Sequence, residues 1–138
     1  MTNERPGLCA ACGDCCRTRP GAEDPARFLA APDPVAALAG ALASRDWVLC
    51  RLAGVGYLRP ATVEEKASGR VHPGAETSPC VFLGESGCRL AFEDRPRMCR
   101  ELEPWANGDC QCAWDLPQVA EAWASCRALV DEALRRAP

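Results

Sequence analysis

The chain has 138 residues, a length typical of a single domain. Of these residues, 48% are apolar and 25% are charged, a composition typical of globular domains. Its net charge of −3 argues against non-specific binding of nucleic acid, because such binding needs a basic surface. No apolar run reaches the roughly 18 residues that a membrane crossing requires, and the polar first residues carry no signal-peptide pattern, so we expect one cytoplasmic domain over residues 1–138.

The first part of the chain is predicted to be irregular. Residues 1–8 are polar, and we expect them to be flexible. Four cysteines follow within residues 9–16, and the two prolines and one glycine of residues 17–26 then indicate a loop. Regular structure is expected to begin beyond this loop.

A helix is predicted from Pro34 to Leu52. Asp33 is a residue type that caps helix N-termini, and proline suits the first helical position. Three leucines recur at helical spacing and are expected to face the core, namely Leu38, Leu42 and Leu49. Gly54 and Gly56 are expected to end this helix.

Short elements are predicted in the middle of the chain. Thr62 and Glu65 form a capping box for a short helix that Gly69 ends. Further along, short strands are expected at residues 81–83 and 89–90, on either side of a glycine-bounded turn.

The last two predicted elements are helices. Pro96 is expected to open a brief helix that runs through Leu102. A longer helix is predicted from Asp115, its N-cap, to about Arg136, and Gln118 completes its capping box. Its apolar stripe consists of Val119, Trp123, Cys126, Val130 and Leu134. The whole pattern predicts a mostly α domain with two or three helices and little strand around an irregular centre.

Eleven cysteines in so short a chain are the strongest chemical signal of the sequence. In a reducing cytoplasm they are not expected to form structural disulfides. Thiolates are soft ligands that select zinc, cuprous copper or iron–sulfur clusters. We therefore expect a small metal-stapled domain, in which bound metal supplies stability that a modest core lacks.

The first cysteine cluster has the spacing C-x-x-C-x-x-C-C, at Cys9, Cys12, Cys15 and Cys16. Three cysteines at three-residue steps match the run that surrounds an iron–sulfur cluster in bacterial ferredoxins. The ferredoxin run continues with x-x-x-C-P, and this sequence does not. Because neighbouring side chains diverge, Cys15 and Cys16 are expected to serve two sites or to bridge two metals.

Further ligands are expected from the second half of the chain. The candidates are Cys80, Cys88, Cys99 and one of Cys110 and Cys112. Two other cysteines are expected to be small buried apolar residues rather than ligands, because Cys126 lies on the apolar stripe of the last helix and Cys50 near the end of the first. His72, the single histidine, lies in a turn-rich segment and is expected to be exposed.

Four segments in this order resemble one known family. They are the first cluster, Pro-Cys-Val-Phe-Leu at 79–83, Gly-Cys-Arg-Leu at 87–90 and Arg-Pro-Arg-Met-Cys-Arg at 95–100. The combination is similar to the CxxCxxCC (YkgJ-type) cysteine-cluster family, described as a zinc- or iron-chelating domain that generally has eight cysteines. The resemblance implies a metal site without naming a reaction.

The chain departs from the family pattern in two ways. The spacing between Cys88 and the Arg95-Pro96 pair is one residue longer than usual, since Ala91-Phe92 stands where the family often has a single aromatic residue, and either Cys110 or Cys112 could be the eighth cysteine. Flagellin lysine methylases contain a related cysteine-rich segment, but they are larger proteins. This chain lacks a glycine-rich signature for a nucleotide-type methyl donor, so methylase activity is not expected.

Several arginines lie close in sequence to the cysteines. They are Arg17, Arg19, Arg89, Arg95, Arg97 and Arg100. A multi-thiolate centre is anionic, and fixed guanidinium groups would stabilise it. Arg95 and Arg100 are therefore candidate cofactor-binding residues, and a solvated basic surface is the alternative interpretation.

Three functions fit these patterns. The favoured one is an iron–sulfur protein that transfers electrons or supports a partner enzyme, so a protein partner is expected. A zinc-stapled protein–protein interaction module without a redox role is the first alternative. The second is a metal-dependent enzyme acting on a peptide, which would need a base. Asp14, Glu93 and Asp94 are the candidates for that base, and nothing in the sequence distinguishes them from ordinary surface acids. No catalytic residue is assigned, and no nucleic-acid or membrane partner is expected.

Overall fold

The computed structural model describes residues 21–71, 78–85, 87–104, 110–112 and 114–137, with only the backbone described at 87, 102–104 and 110–112. Within these residues there are six α-helices and three two-stranded antiparallel sheets. In chain order they are α1 (Ala26–Leu29), α2 (Pro34–Ser44), β1 (Trp47–Leu52), β2 (Val55–Pro60), α3 (Val63–Ser68), β3 (Leu83–Gly84), β4 (Gly87–Cys88), α4 (Arg97–Arg100), β5 (Leu102–Pro104), β6 (Cys110–Cys112), α5 (Leu116–Ala124) and α6 (Arg127–Arg136).

The helical character of the domain is confirmed, but the predicted number of helices is wrong. The described residues contain six helices rather than two or three, and several are a single turn long. A helix as short as α1, with four residues, is too short to show a repeating pattern of apolar residues in the sequence. The flexibility expected of residues 1–8 concerns a segment outside the described residues.

The predicted helix from Pro34 to Leu52 is wrong beyond Ser44. Arg45 adopts a left-handed conformation with φ 67° and ends α2, and the next residues form β1. Ala53 and Gly54 both have positive φ and make the two-residue turn to β2. Aromatic and β-branched residues favour this strand, and the turn geometry overrides the leucine spacing.

The predicted N-caps are confirmed, and so is Gly69 as a helix end, whereas Gly54 and Gly56 lie in the first hairpin and end no helix. The Asp33 side chain accepts a hydrogen bond from the Ala36 amide at the start of α2. Thr62 and Glu65 form the reciprocal capping box of α3, and Gly69 ends it with φ 76°. Local hydrogen bonding between neighbouring residues decides these termini, so the sequence predicts them well.

The predicted last helix is two helices, α5 and α6, separated at Ser125 and Cys126. Its capping box, formed by Asp115 and Gln118, is present. Four of the five predicted stripe positions are buried, whereas Leu134 is 39% exposed and Ala133 is buried instead. The break between α5 and α6 changes the helical phase, which explains why Ala133 rather than Leu134 faces the core.

Two further hairpins lie in the second half of the chain. Leu83 pairs with Cys88 across β3 and β4, so a hairpin is present where strands were predicted. Each strand is two residues long and lies closer to the turn than the predicted strands at 81–83 and 89–90. The predicted helix from Pro96 is only one turn long. The hairpin of β5 and β6 was not predicted, and it places Cys112 opposite Leu102.

The apolar core lies between α2, the first hairpin and the two C-terminal helices. Leu38, Leu58, Val119 and Trp123 are fully buried there. Helix α2 packs on α6, and α5 packs on β2. The Phe28 ring joins this core with its centroid 6.2 Å from that of Trp123.

The segment that enters the structure at residue 21 is held inside the protein by its backbone. The Glu23 amide donates to the Leu58 carbonyl at 2.9 Å, and the Trp123 indole N–H donates to the Glu23 carbonyl at 2.8 Å. The Met98 amide donates to the Ala22 carbonyl at 3.1 Å. Strand β2, helix α5 and helix α4 therefore meet on this segment, which is buried although it has no regular structure.

The Glu23 carboxylate is fully buried and has several donors. Oε1 accepts from the Asp24 amide at 2.7 Å and from the Arg97 amide at 2.9 Å. Oε2 accepts from the Arg27 Nε, and Arg100 Nη2 lies 3.9 Å from Oε1. These donors offset the cost of burying the charge, and they join the segment after residue 20 to the start of α4.

Glu23→Gln is expected to destabilise the domain strongly, because a buried amide nitrogen would face N–H donors and the half-buried Arg27 guanidinium would lose its carboxylate partner. The expected loss in the free energy of unfolding is about 3 kcal/mol, measured by urea denaturation. Glu132→Gln is the matched control, since Glu132 pairs with Arg135 and Arg136 on the exposed surface of α6. Equal effects of the two substitutions would contradict this role of Glu23.

Candidate metal centre

The predicted ligands divide into three groups. Cys80 and Cys99 are buried, with 4% and 9% exposure, and Cys88 is half-buried. Cys110 and Cys112 are described only through the backbone of β6. Outside the described residues lie Cys9, Cys12, Cys15 and Cys16, together with His72 and Asp14.

Cys80 is fixed by the N-terminus of α3. The Val63 amide donates to the Pro79 carbonyl at 2.8 Å, and the Val81 amide donates to the Ala61 carbonyl at 2.9 Å. The Phe82 amide points at the Cys80 sulfur with an N···Sγ distance of 3.5 Å. An amide hydrogen bond of this kind orients the sulfur, as outer contacts orient the ligands of metal sites.

Cys88 is tied to the same turn through the second hairpin. Its strand partner is Leu83, and the neighbouring Arg89 amide donates to the Phe82 carbonyl at 2.7 Å. The Arg89 guanidinium reaches back to the Val81 carbonyl. The segments that carry Cys80 and Cys88 therefore form one hydrogen-bonded unit.

Cys99 lies on α4 and is closely approached by the backbone of Gly21. A Cβ atom built on Gly21 would lie 2.9 Å from the Cys99 sulfur and 3.0 Å from the Met98 Cβ. Only glycine fits this position without displacing its neighbours. Gly21, which follows Cys16 by five residues in the sequence, therefore lies close beside the Cys99 sulfur.

Arg95 is 5% exposed and only partly satisfied. Its Nε donates to the Leu90 carbonyl at 3.2 Å, and its guanidinium lies 5.8 Å from the centroid of the Phe92 ring. Its Nη1 is buried without a hydrogen-bond partner among the described residues. An unsatisfied buried donor costs about 1–3 kcal/mol, and more when it is charged, so the site is suited to an anionic acceptor.

The other described arginines of this region have carboxylate or carbonyl partners. Arg100 donates to the Arg95 carbonyl at 3.0 Å and lies near Glu23. Arg97 pairs with Asp24 at 2.6 Å and with Glu101 at 2.7 Å. Arg95 and Arg100 thus differ, because the described contacts of Arg100 are internal while Arg95 keeps a donor available. The role of Arg100 in cofactor binding stays a prediction.

Two cysteines fall outside this region of the fold. Cys126 is buried in the apolar core, as predicted. Cys50 lies on β1 opposite Tyr57 rather than on a helix. Burial raises the pKa of the Cys50 thiol and outweighs the opposing effect of the Arg59 guanidinium. This thiol therefore stays protonated at neutral pH. Glu93 and Asp94, the candidate bases of an enzyme, are exposed.

Sequence reasoning missed Glu23 and Gly21, the residues that position α4 against the entering chain. Both lie in a segment with no apolar period, and an acidic residue in a loop is usually exposed. The only signal was the position of the segment, directly after a cysteine cluster. Burial of Glu23 depends on Arg27, Arg97 and Arg100, two of which are remote in sequence.

The residues present fit a thiolate-bound metal. Buried cysteines supply soft donors, an amide supports one sulfur, and Arg95 offers an unused positive donor beside them in the sequence. Within the described ranges, no group of three or more histidine, cysteine, aspartate or glutamate side chains is placed to hold a metal ion. Cys80, Cys88 and Cys99 are therefore not a complete site by themselves.

In the described part of the chain, no helix has the length and apolar character needed to cross a membrane.

Comparisons with known proteins give one match. No curated protein and no solved structure matches the chain significantly. The family model described as "CxxCxxCC: Putative zinc- or iron-chelating domain" matches residues 8–126. Since the match covers most of the sequence, from the first cysteine cluster to Cys126, the chain belongs to the CxxCxxCC family of zinc- or iron-chelating domains.

Proposed function

We propose that the protein holds an iron–sulfur or related multi-thiolate centre and uses it for electron transfer or in support of a partner enzyme. The ligands would be the four cysteines of residues 9–16 together with Cys80, Cys88, Cys99 and one of Cys110 and Cys112. Eight thiolates suffice for two four-ligand sites or for one larger cluster. The proposal places the protein in the cytoplasm, where thiols stay reduced.

The observation that carries the proposal is the buried Nη1 of Arg95, which has no hydrogen-bond partner in the described part of the chain. A folded protein rarely leaves a charged donor without an acceptor. A metal-bound sulfur is an anionic acceptor, and hydrogen bonds to such sulfurs help to set cluster potentials. Arg95 lies between Cys88 and Cys99 in the sequence, which supports a sulfur as its acceptor.

The path of the chain supports the convergence of distant cysteines. A Cβ on Gly21 would lie 2.9 Å from the Cys99 sulfur, and the five residues back to Cys16 span at most about 18 Å. This length would allow the first cluster to reach α4. On the other side of α4, Leu102 follows Cys99 by three residues and pairs with Cys112, whereas Cys110 pairs with the more distant Pro104. This register favours Cys112 as the eighth ligand.

The choice of iron–sulfur over zinc rests on the spacing of Cys9, Cys12 and Cys15, three-residue steps that suit three corners of a cluster. When bound, such a centre would supply single-electron redox chemistry. The cysteines would hold this centre, and the burial of Cys80 and Cys99 would keep water away from it. Arg95 would offset its negative charge. A zinc centre with the same ligands would instead be structural, and metal analysis separates the two.

Cys80→Ser and Cys99→Ser are expected to lower the metal-to-protein ratio, because each removes a buried thiolate. Cys126→Ser is the matched control, a buried cysteine of the apolar core that should keep the full metal content. The measurement is elemental analysis, with acid-labile sulfide, on protein purified without oxygen. Iron with sulfide supports the proposal. Colourless protein with zinc would contradict the iron–sulfur assignment, and wild-type protein without metal would contradict the whole proposal.

Arg95→Met is expected to weaken metal binding about 10-fold or more, as loss of an outer hydrogen bond does in other metal sites. Chelator competition measures this affinity. The free energy of unfolding of the apo protein is expected to fall by at most about 1 kcal/mol, because methionine removes the Nε bond to the Leu90 carbonyl together with a buried Nη1 that has no acceptor among the described residues. Arg97→Met is the control and should destabilise apo and metal-loaded protein alike, since its carboxylate partners are internal. Equal metal affinity of wild type and Arg95→Met would contradict the role of Arg95.

A further inference from the structure

One edge of the first hairpin is unpaired. The two-residue turn makes Leu52 and Val55 a hydrogen-bonded pair, and such pairs alternate along the strands. The backbone groups of Leu49 and Arg51 therefore point away from β2. Among the described residues, neither has a backbone hydrogen-bond partner on that side.

A groove of about 630 Å³ follows this edge. It is lined by Val48 and Leu49, whose side chains lie on opposite faces of the strand, so the groove runs along the edge rather than over one face. Leu42 of α2 and Leu134 of α6 add apolar surface, and so does Val71 beyond α3. Leu134 and Val71 are both exposed.

The charge of the groove is positive. Arg45 and Arg51 line it, and within the described residues neither forms an ion pair. Glu65 also lines the groove, but both of its carboxylate oxygens bind Arg59 at 2.8 Å. Arg45 Nη2 lies 2.7 Å from the position that a Cβ on Gly69 would occupy, so glycine leaves room for this guanidinium.

We propose that this groove binds an extended acidic segment of a partner protein, which adds to β1 as a third strand. The free N–H and C=O groups of Leu49 and Arg51 would hydrogen-bond the segment, and the apolar walls would receive alternate side chains. Arg45 and Arg51 would pair with its carboxylates. The proposal does not depend on the metal centre.

A partner segment fits better than a second copy of this chain. Pairing of two β1 edges would bring Arg45 and Arg51 of both copies to one interface, where like charges oppose association. An acidic segment instead compensates the two arginines. Charge therefore selects the occupant, while the strand edge provides the hydrogen bonds.

The test uses two labelled peptides with blocked ends, one alternating Glu and Val and the other alternating Lys and Val. Fluorescence anisotropy on the full-length, metal-replete protein is expected to show binding of the Glu–Val peptide only. Hydrogen exchange should slow at the amides of Leu49 and Arg51. Arg45→Gln and Arg51→Gln should each weaken binding about 2- to 5-fold, the range of exposed ion pairs.

Arg135→Gln is the control, since Arg135 is an exposed arginine of α6 that does not line the groove, and it should leave binding unchanged. The proposal would be overturned by absence of binding of the Glu–Val peptide, by equal binding of both peptides, or by slowed hydrogen exchange at residues outside β1 and not within it. A concentration-dependent dimer with β1 protected would also overturn it and assign the edge to a second copy.

Discussion

The buried carboxylate of Glu23 is the contact on which the arrangement of the domain depends. It holds an irregular segment in the interior by accepting from the Arg97 amide and from Arg27, while its own backbone bonds to Leu58 and Trp123. A buried charge is stable only with such donors. The segment that follows the first four cysteines is thereby fixed on α4, and Gly21 is pressed against the Cys99 sulfur.

Charge compensation explains why the arginines near the cysteines are not equivalent. Glu23, Asp24 and Glu101 engage Arg27, Arg97 and Arg100 within the fold. Arg95 is buried, and within the described ranges it has no carboxylate partner and its Nη1 has no acceptor, which matches the anionic character of a thiolate centre. The sequence alone could not separate these residues, because all of them lie close to cysteines and only the fold decides which are neutralised.

The sequence predicted what is decided locally. The caps at Asp33, Thr62 and Asp115 were correct, because each needs only neighbouring residues. The hairpin was missed, because the leucine spacing of residues 34–52 suits a helix and a strand pairing with β2 cannot be seen locally. Spacing supplied the candidate ligand cysteines, and their binding of metal stays a prediction, with Cys80 and Cys99 buried in the fold. The role of Glu23 could not be predicted, because the donors that bind its carboxylate come together only in the folded chain.

The central claim is that cysteines from distant segments bind metal together. X-ray absorption at the metal edge, on protein purified without oxygen, reports the ligand atoms directly. The account predicts a first shell of sulfur at about 2.3 Å from the metal. A first shell made only of oxygen and nitrogen at about 2.0–2.2 Å would contradict it.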